Sequence, residues 1–255
     1  MITDRPDLTD KVAIVTGGGK GIGKAIALGL ADCRAKVVIA ARGEPELKAT
    51  ADEILGKGGE ALARVTDISR SEQIDSLVQE TVNEFGTIDI LVNNSARSIL
   101  SPLLTLREEG FDKIFNVNVK APFLLSRAVA QVMMDKGGGR IVNITTIGAE
   151  RGSPMMGIYM ASKAALKMLT MCMAIEWAKQ NINVNAVGPG MVKTDFSKPI
   201  WSNPEMEKQI ASRIPQGRLA EPDDVVGAVL FLCSESSKYI TGQTIYVDGG
   251  SLANS

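Results

Sequence analysis

Seven short apolar runs recur along this chain, each separated from the next by room for at least one helix. They are Val12–Thr16, Lys36–Ala41, Glu60–Thr66, Ile88–Asn93, Gly139–Thr145, Ile182–Val187 and Thr244–Val247. Several are near-continuous Val, Ile, Leu and Ala, as expected of parallel strands covered on both faces. Helical periodicity fills the intervals. The clearest case runs from Ser71 to Phe85, with Ile74, Leu77, Val78, Val82 and Phe85 on one stripe and Ser69 and Glu72 spaced as a capping box. Such alternation predicts an α/β fold, a doubly wound parallel sheet of seven strands with helices on both faces.

With 255 residues the chain is long enough for one large core, burying about 70% of its extended surface without disulfide staples. No repeat or linker divides it, so residues 1–255 read as a single domain. One stretch breaks the rhythm. Residues 189–221 hold Pro189, Pro199, Pro204 and Pro215, with Phe196, Ile200, Trp201 and Met206 among polar neighbours. A long irregular insertion beside a strand end suits a substrate lid over 191–221; a surface loop or a subunit contact is the alternative.

Composition removes several function classes. The formal net charge is −1, so neither nucleic acid nor an anionic membrane is an expected partner. There is no histidine, which excludes a histidine base and histidine zinc sites; no metal is expected. Cys33, Cys172 and Cys233 form no CxxC and suit a reducing compartment. The start, MITDRPDLTDK, lacks the apolar segment of a signal peptide. No uninterrupted apolar run approaches the ~18 residues of a membrane span. A soluble, cytoplasmic protein is the expectation.

The first strand ends in Thr16-Gly17-Gly18-Gly19-Lys20-Gly21-Ile22-Gly23, and an amphipathic helix follows. The pattern is TGxxxGxG. Glycines at Gly17, Gly19, Gly21 and Gly23 let the backbone turn sharply and approach a diphosphate at the helix N-terminus. Strand–turn–helix placement marks a Rossmann-type dinucleotide site. An NAD site usually carries an acid at the end of the second strand. Here that strand ends Ala40-Ala41-Arg42, and Lys20 lies in the glycine turn. Two cations without a carboxylate suit a 2′-phosphate, hence NADP(H); the bland alternative is two solvated surface charges.

Tyr159 and Lys163 stand four apart, on one face of a helix running toward Lys179. A nearby ammonium favours phenolate, so this spacing predicts a tyrosine with a lowered pKa that exchanges a proton with a carbonyl or alcohol. Taken alone, Tyr and Lys at this spacing are usually a snorkelling surface pair. Context changes the reading.

TGxxxGxG at the first turn and YxxxK late in an α/β chain together resemble the short-chain dehydrogenase/reductase family, from Lys11 to Gly250. Further pieces match in order: Asp67-Ile68, Asn93-Asn94-Ser95-Ala96, Asn118, Pro189-Gly190 with Val192 and Thr194, and Asp248-Gly249-Gly250. The resemblance implies that Tyr159 exchanges the proton, that Lys163 lowers its pKa and bonds the nicotinamide ribose, and that Asn118 holds a relay water. It implies that Asp67 and Ile68 contact adenine, that Asn94 lines a ribose, and that Pro189, Gly190, Val192 and Thr194 hold the nicotinamide carboxamide. Ile22 completes the glycine turn. The family's substrate-orienting hydroxyl, usually serine, falls here on Thr146. Ala96 replaces a glycine, and a positive φ there would strain it. Family members of this size are commonly homotetramers. The Tyr159–Lys179 helix carries Leu166, Met168, Met171, Met173, Ile175 and Trp177 over more than one stripe, which suits burial on both a core and a partner face.

Expected lining residues are Ser98, Gly148, Ser153, Met155, Met156, Phe196, Trp201 and Met206, mostly apolar or soft. They favour a neutral, hydrophobic ketone or secondary alcohol, with reduction the favoured direction. Relatives that reduce 3-oxoacyl groups on acyl carrier protein hold the carrier with arginines; Gln131 and Ile175 stand at those positions here. A non-catalytic NADP(H)-binding sensor is the alternative from another class.

Overall fold

The computed structural model describes residues 6–254. Seven strands form one sheet: β1 (Val12–Thr16), β2 (Lys36–Ala41), β3 (Glu60–Val65), β4 (Ile90–Asn93), β5 (Gly139–Ile144), β6 (Ile182–Pro189) and β7 (Thr244–Val247). The spatial order is β3-β2-β1-β4-β5-β6-β7. Every pairing is parallel. The order reverses between β1 and β4, which opens a crevice at the carboxyl ends of those strands.

The helices are α1 (Gly21–Asp32), α2 (Glu44–Gly56), α3 (Ser71–Phe85), α4 (Glu108–Phe115), α5 (Ala121–Lys136), α6 (Gly157–Trp177), α7 (Lys198–Trp201), α8 (Pro204–Ala211) and α9 (Pro222–Cys233). Strand side chains alternate between two cores, the direct consequence of a period of two. Ala13, Val15, Val37 and Ile39 face α1, α2 and α9, whereas Ile14, Val38 and Ala40 face α3, α5 and α6.

Three sequence expectations need correction. Ser69 does not cap α3; its hydroxyl donates to Asp67 Oδ1 at 2.7 Å, and the N-cap residue is Arg70. An adjacent carboxylate accepts more strongly than a helix terminus requires, so Ser69 closes an Asx-type turn instead. Residues 189–221 are not irregular. A 3₁₀ turn over Asp195–Ser197 leads into α7 and α8, whose prolines sit in their first turns. Proline there starts helices because its missing N–H is an orphan position. The base of this flap is closed by a Val192–Ala220 bridge. Finally, Ala96 is not among the residues with positive φ, so it carries no such strain; Met155 is, at φ 66°.

The segment Gly157–Gln180 is apolar and long enough to cross a membrane by length and composition alone. Here it packs one face on the sheet, burying Leu166, Met173 and Ala174, and exposes Met168 and Ile175.

Ile14 is fully buried at the centre of the sheet. Truncation to alanine is expected to lower unfolding free energy by about 2–5 kcal/mol, while Leu55→Ala, at an exposed position, shifts it by less than ~0.5. Urea titrations of both variants check the contrast.

Candidate active site

The glycine turn is built to admit an anion. Gly17 and Gly21 hold φ values of +68° and +55°. A side chain on Gly23 would put Cβ 2.1 Å from the Gly17 carbonyl oxygen, so only glycine lets α1 start this close to the turn. Lys20, the N-cap residue of α1, makes no side-chain cap. The first-turn amides are therefore not capped by a side-chain oxygen, the condition a diphosphate site needs.

Thr16 ties this turn to the end of β4. Its Oγ1 accepts from the amides of Asn94 at 3.0 Å and Ser95 at 3.1 Å. The Asn94 amide group donates to the Thr16 carbonyl at 2.9 Å, so that side chain braces the turn from below.

On the side expected to take adenine, Arg42 is exposed beside the end of β2 and Asp67 follows β3. Burial raises the Asp67 carboxyl, but hydrogen bonds from Ser69 and the attraction of Arg42 and Arg70 outweigh it and hold it below the ordinary value. Arg70 thus joins the group, although no motif singled it out. Ile68 is buried beneath. Lys20 has a partner that the sequence did not reveal: its Nζ lies 3.4 Å from Asp195 of the flap.

Across the crevice, α6 presents the predicted Tyr159–Lys163 pair. Lys163 is 2% exposed, and its Nζ donates to the Ile144 carbonyl at 2.7 Å. Burial pulls its pKa down to about 8. Burial also pushes the half-buried Tyr159 up to about 12. This reverses the expected lowering. Within the chain itself desolvation dominates both groups, and the Lys163 ammonium is directed at a backbone carbonyl. Tyr159 is accordingly a neutral phenol at pH 7, the proton-donating form.

Asn118 sits in a π-turn, Asn116–Lys120, between α4 and α5. Such single turns break the ordinary helical ladder and concentrate at functional sites. Its side chain is completely buried and fully engaged. The amide nitrogen donates to the Arg97 carbonyl and to Ser162 Oγ, both at 2.9 Å, while the oxygen accepts from the Arg97 amide at 2.8 Å. Ser162 in turn donates to the Tyr159 carbonyl at 2.6 Å. The π-turn, the loop after β4 and the Tyr159 turn are thereby one unit.

Thr146 caps a 3₁₀ turn after β5. Its Oγ1 accepts from the Gly148 amide at 3.2 Å and lies 3.4 Å from the Pro189 carbonyl. From the flap, the Phe196 ring rests against Tyr159 with centroids 5.6 Å apart. Thr194 packs over Gly21, Val192 is buried at the flap base, and Gly190 donates its amide to Val247. The predicted residues thus gather along one edge of the sheet, except that Lys20 turns toward Asp195.

This arrangement has known counterparts. The family model described as enoyl-(acyl carrier protein) reductase matches residues 17–251. Human dehydrogenase/reductase SDR family member 4 is 40% identical over 250 residues, covering 98% of this chain and 90% of the relative. The 2-dehydro-3-deoxy-D-gluconate 5-dehydrogenase of Escherichia coli is 38% identical over 254 residues, covering 99% and 100%. A crystal structure of a gluconate 5-dehydrogenase from Burkholderia cenocepacia, in complex with NADP and tartrate, superimposes with a TM-score of 0.93 at 33% identity, over 98% of each chain. The chain therefore belongs to the short-chain dehydrogenase/reductase family, oxidoreductases acting on CH–OH groups.

Proposed function

We propose that the protein reduces a neutral, largely apolar ketone to a secondary alcohol with NADPH. The observation that carries this reading is the placement of Tyr159, a neutral phenol beside buried Lys163 and beneath Phe196, on the edge that also holds the glycine turn. When bound, the nicotinamide supplies the hydride to the carbonyl carbon. Tyr159 Oη donates the proton to the carbonyl oxygen. Thr146 Oγ1 orients that oxygen, and Lys163 stabilises the phenolate that remains. The uncapped start of α1 takes the diphosphate, and Arg42 takes the 2′-phosphate.

The substrate class follows from the rim. Leu100, Leu103 and Leu104 after β4, Met155 before α6, and Phe196 and Met206 on the flap are all exposed. Two contacts join the loop after β4 to the start of α6: the Ser101 amide donates to the Met155 carbonyl at 3.0 Å, and Leu103 packs on Gly157. An apolar rim selects an apolar ligand, and residues 191–221 act as its lid. The acyl-carrier reading lacks its cations, since Gln131 and the exposed Ile175 occupy those positions. A homotetramer accounts for the apolar outer faces of α5 and α6, where Phe123, Met168, Met171 and Ile175 are exposed beside a groove lined by Phe115, Val119 and Leu169.

Absorbance of reduced nicotinamide over a panel of ketones tests the activity. Tyr159→Phe is expected to cut turnover by about a hundredfold or more while leaving NADPH binding intact. Tight NADPH binding without turnover on any ketone refutes the enzyme reading in favour of a sensor. Arg42→Asp is expected to lower kcat/KM with NADPH by about tenfold or more and to leave NADH unharmed; an unchanged ratio of the two cofactors removes Arg42 from the phosphate site.

Lys163 also makes a stability prediction. Its folded pKa of about 8 lies below the unfolded value of about 10.4. The cost of burying its charge is thus fully present below pH 8 and disappears as pH rises past 10. Lys163→Met is expected to be inactive yet about 1–2 kcal/mol more stable at pH 7. That advantage should shrink between pH 8 and 10, as read by urea denaturation across the range.

A further inference from the structure

One polar cluster beside the site takes no part in the chemistry above. Glu150, Lys167 and Tyr246 come from three different segments, yet Lys167 Nζ and Tyr246 Oη both donate to the same oxygen, Glu150 Oε1. The Glu150 and Lys167 side chains are each about one-third exposed, at 32% and 30%. Direct hydrogen bonds from Lys167 and Tyr246 outweigh burial and hold the Glu150 carboxyl below its ordinary value.

The location matters more than the cluster itself. Glu150 is the C-cap of the 3₁₀ turn Ile147–Ala149, and Thr146 is its N-cap. The turn is closed by Ala149 and Glu150 amides donating to the Thr146 and Ile147 carbonyls at 3.0 and 3.1 Å. Fixing one end of so short a turn fixes the other. Lys167 lies one helical turn beyond Lys163 on the same face of α6. Tyr246 stands on β7 opposite Gly188, where a Cβ would come within 2.5 Å of its ring. A bare glycine on β6 therefore lets the ring lie across the sheet and reach Glu150.

We propose that Glu150 is a positioning residue for Thr146: it anchors the turn that carries the substrate-orienting hydroxyl to the helix that carries Tyr159. This rests on the reading of Thr146 given above. The carboxylate contacts no reacting atom. Its single oxygen joins α6, β7 and the turn, so the distance from the Thr146 hydroxyl to the phenol is set by three elements rather than by the loop alone. Small displacements of an orienting group cost rate more than binding.

Two readouts test this. Glu150→Gln keeps the size but removes the charge, and Tyr246→Phe deletes only the hydroxyl donor. In both variants hydrogen–deuterium exchange across residues 146–150 is expected to accelerate, with the rest of α6 and the melting temperature little changed. Wild-type protection of the turn in both variants overturns the proposal, whatever the activity. The second readout is a double-mutant cycle on reduction of trifluoroacetophenone by NADPH. Glu150→Gln should lower kcat about tenfold without altering KM for NADPH, and should cost less than about twofold once Thr146 is already valine. Equal losses in both backgrounds overturn the coupling. Thr146→Val alone reports on the underlying reading: full activity there refutes Thr146 as the orienting hydroxyl, whereas a loss there with additive effects of Glu150→Gln refutes only the positioning role. If Glu150→Gln does not fold, Tyr246→Phe takes its place in both measurements.

Discussion

The site is organised around a buried amine. Lys163 places a cation where only 2% of its surface meets solvent, and the hydrogen bond to Ile144 is its anchor on the sheet. Desolvating an ammonium costs several kcal/mol after relaxation. The two cores on either face of the sheet must supply that free energy, because among the described residues no carboxylate pairs with the ammonium. The same burial depresses the amine to about 8 and lifts Tyr159 to about 12. In the reaction proposed above, a charge near a neutral phenol stabilises the phenolate once the proton leaves, since the phenolate then gains a partner in a low-dielectric setting.

Such a charge is useful only if the helix holding it cannot shift. Along one face of α6 the positions Tyr159, Ser162, Lys163, Leu166, Lys167 and Thr170 recur at helical spacing, and nearly every polar member is tied to a different element. Ser162 meets Asn118, Lys163 meets β5, and Lys167 meets Glu150. Thr170 accepts from Asn143 at 2.8 Å, Asn143 accepts from Asn93 at 2.8 Å, and Asn93 also donates to Ser126 on α5. Apart from the partly exposed Lys167–Glu150 pair, these groups are buried and partnered, the condition under which polar networks specify one geometry rather than loosen a core. The orientation of α6, and with it of the proton donor proposed above, is thus tied to the sheet, the π-turn and α5 together.

Much of this was legible in the amino-acid order. The strands showed because doubly covered strands are almost wholly aliphatic, and their limits fell within two residues of those observed. The glycine turn and the Tyr159–Lys163 spacing showed because a diphosphate and a helix face impose fixed intervals. What stayed hidden depends on partners far apart in sequence. Glu150 and Tyr246 are 96 residues apart, and no local pattern joins them. The proximity of Tyr159 to Lys163 is visible in sequence and points to a lowered pKa, whereas the burial that raises it is not. Prolines at 199 and 204 looked like breakers when they were helix starters. Ala96 looked strained by analogy, but the strain falls at Met155, which holds a left-handed conformation to bring its carbonyl to Ser101.

The flap obeys a different balance from the helix it covers. Internally it is well tied. Thr194 and Ser197 form a capping box, Trp201 Nε1 donates to the Thr194 carbonyl at 2.8 Å, and Asn203 caps α8 through two amides. Externally its polar tether to the glycine turn is Lys20–Asp195, both side chains about two-thirds exposed at 64% and 68%. Ion pairs so open to solvent contribute ~1 kcal/mol at most, and the tilted Phe196–Tyr159 contact adds about as much. The flap is held more firmly at its far end, where the Gln216 amide donates to the Gly249 carbonyl at 3.1 Å and Ile214 and Leu219 are buried. The side facing the glycine turn is thus the loosely held one, in keeping with the lid role proposed above. The division has a chemical logic. In the reading proposed above, groups that must meet at fixed distances are pinned by buried bonds, whereas the flap meets the glycine turn through contacts that water can readily replace.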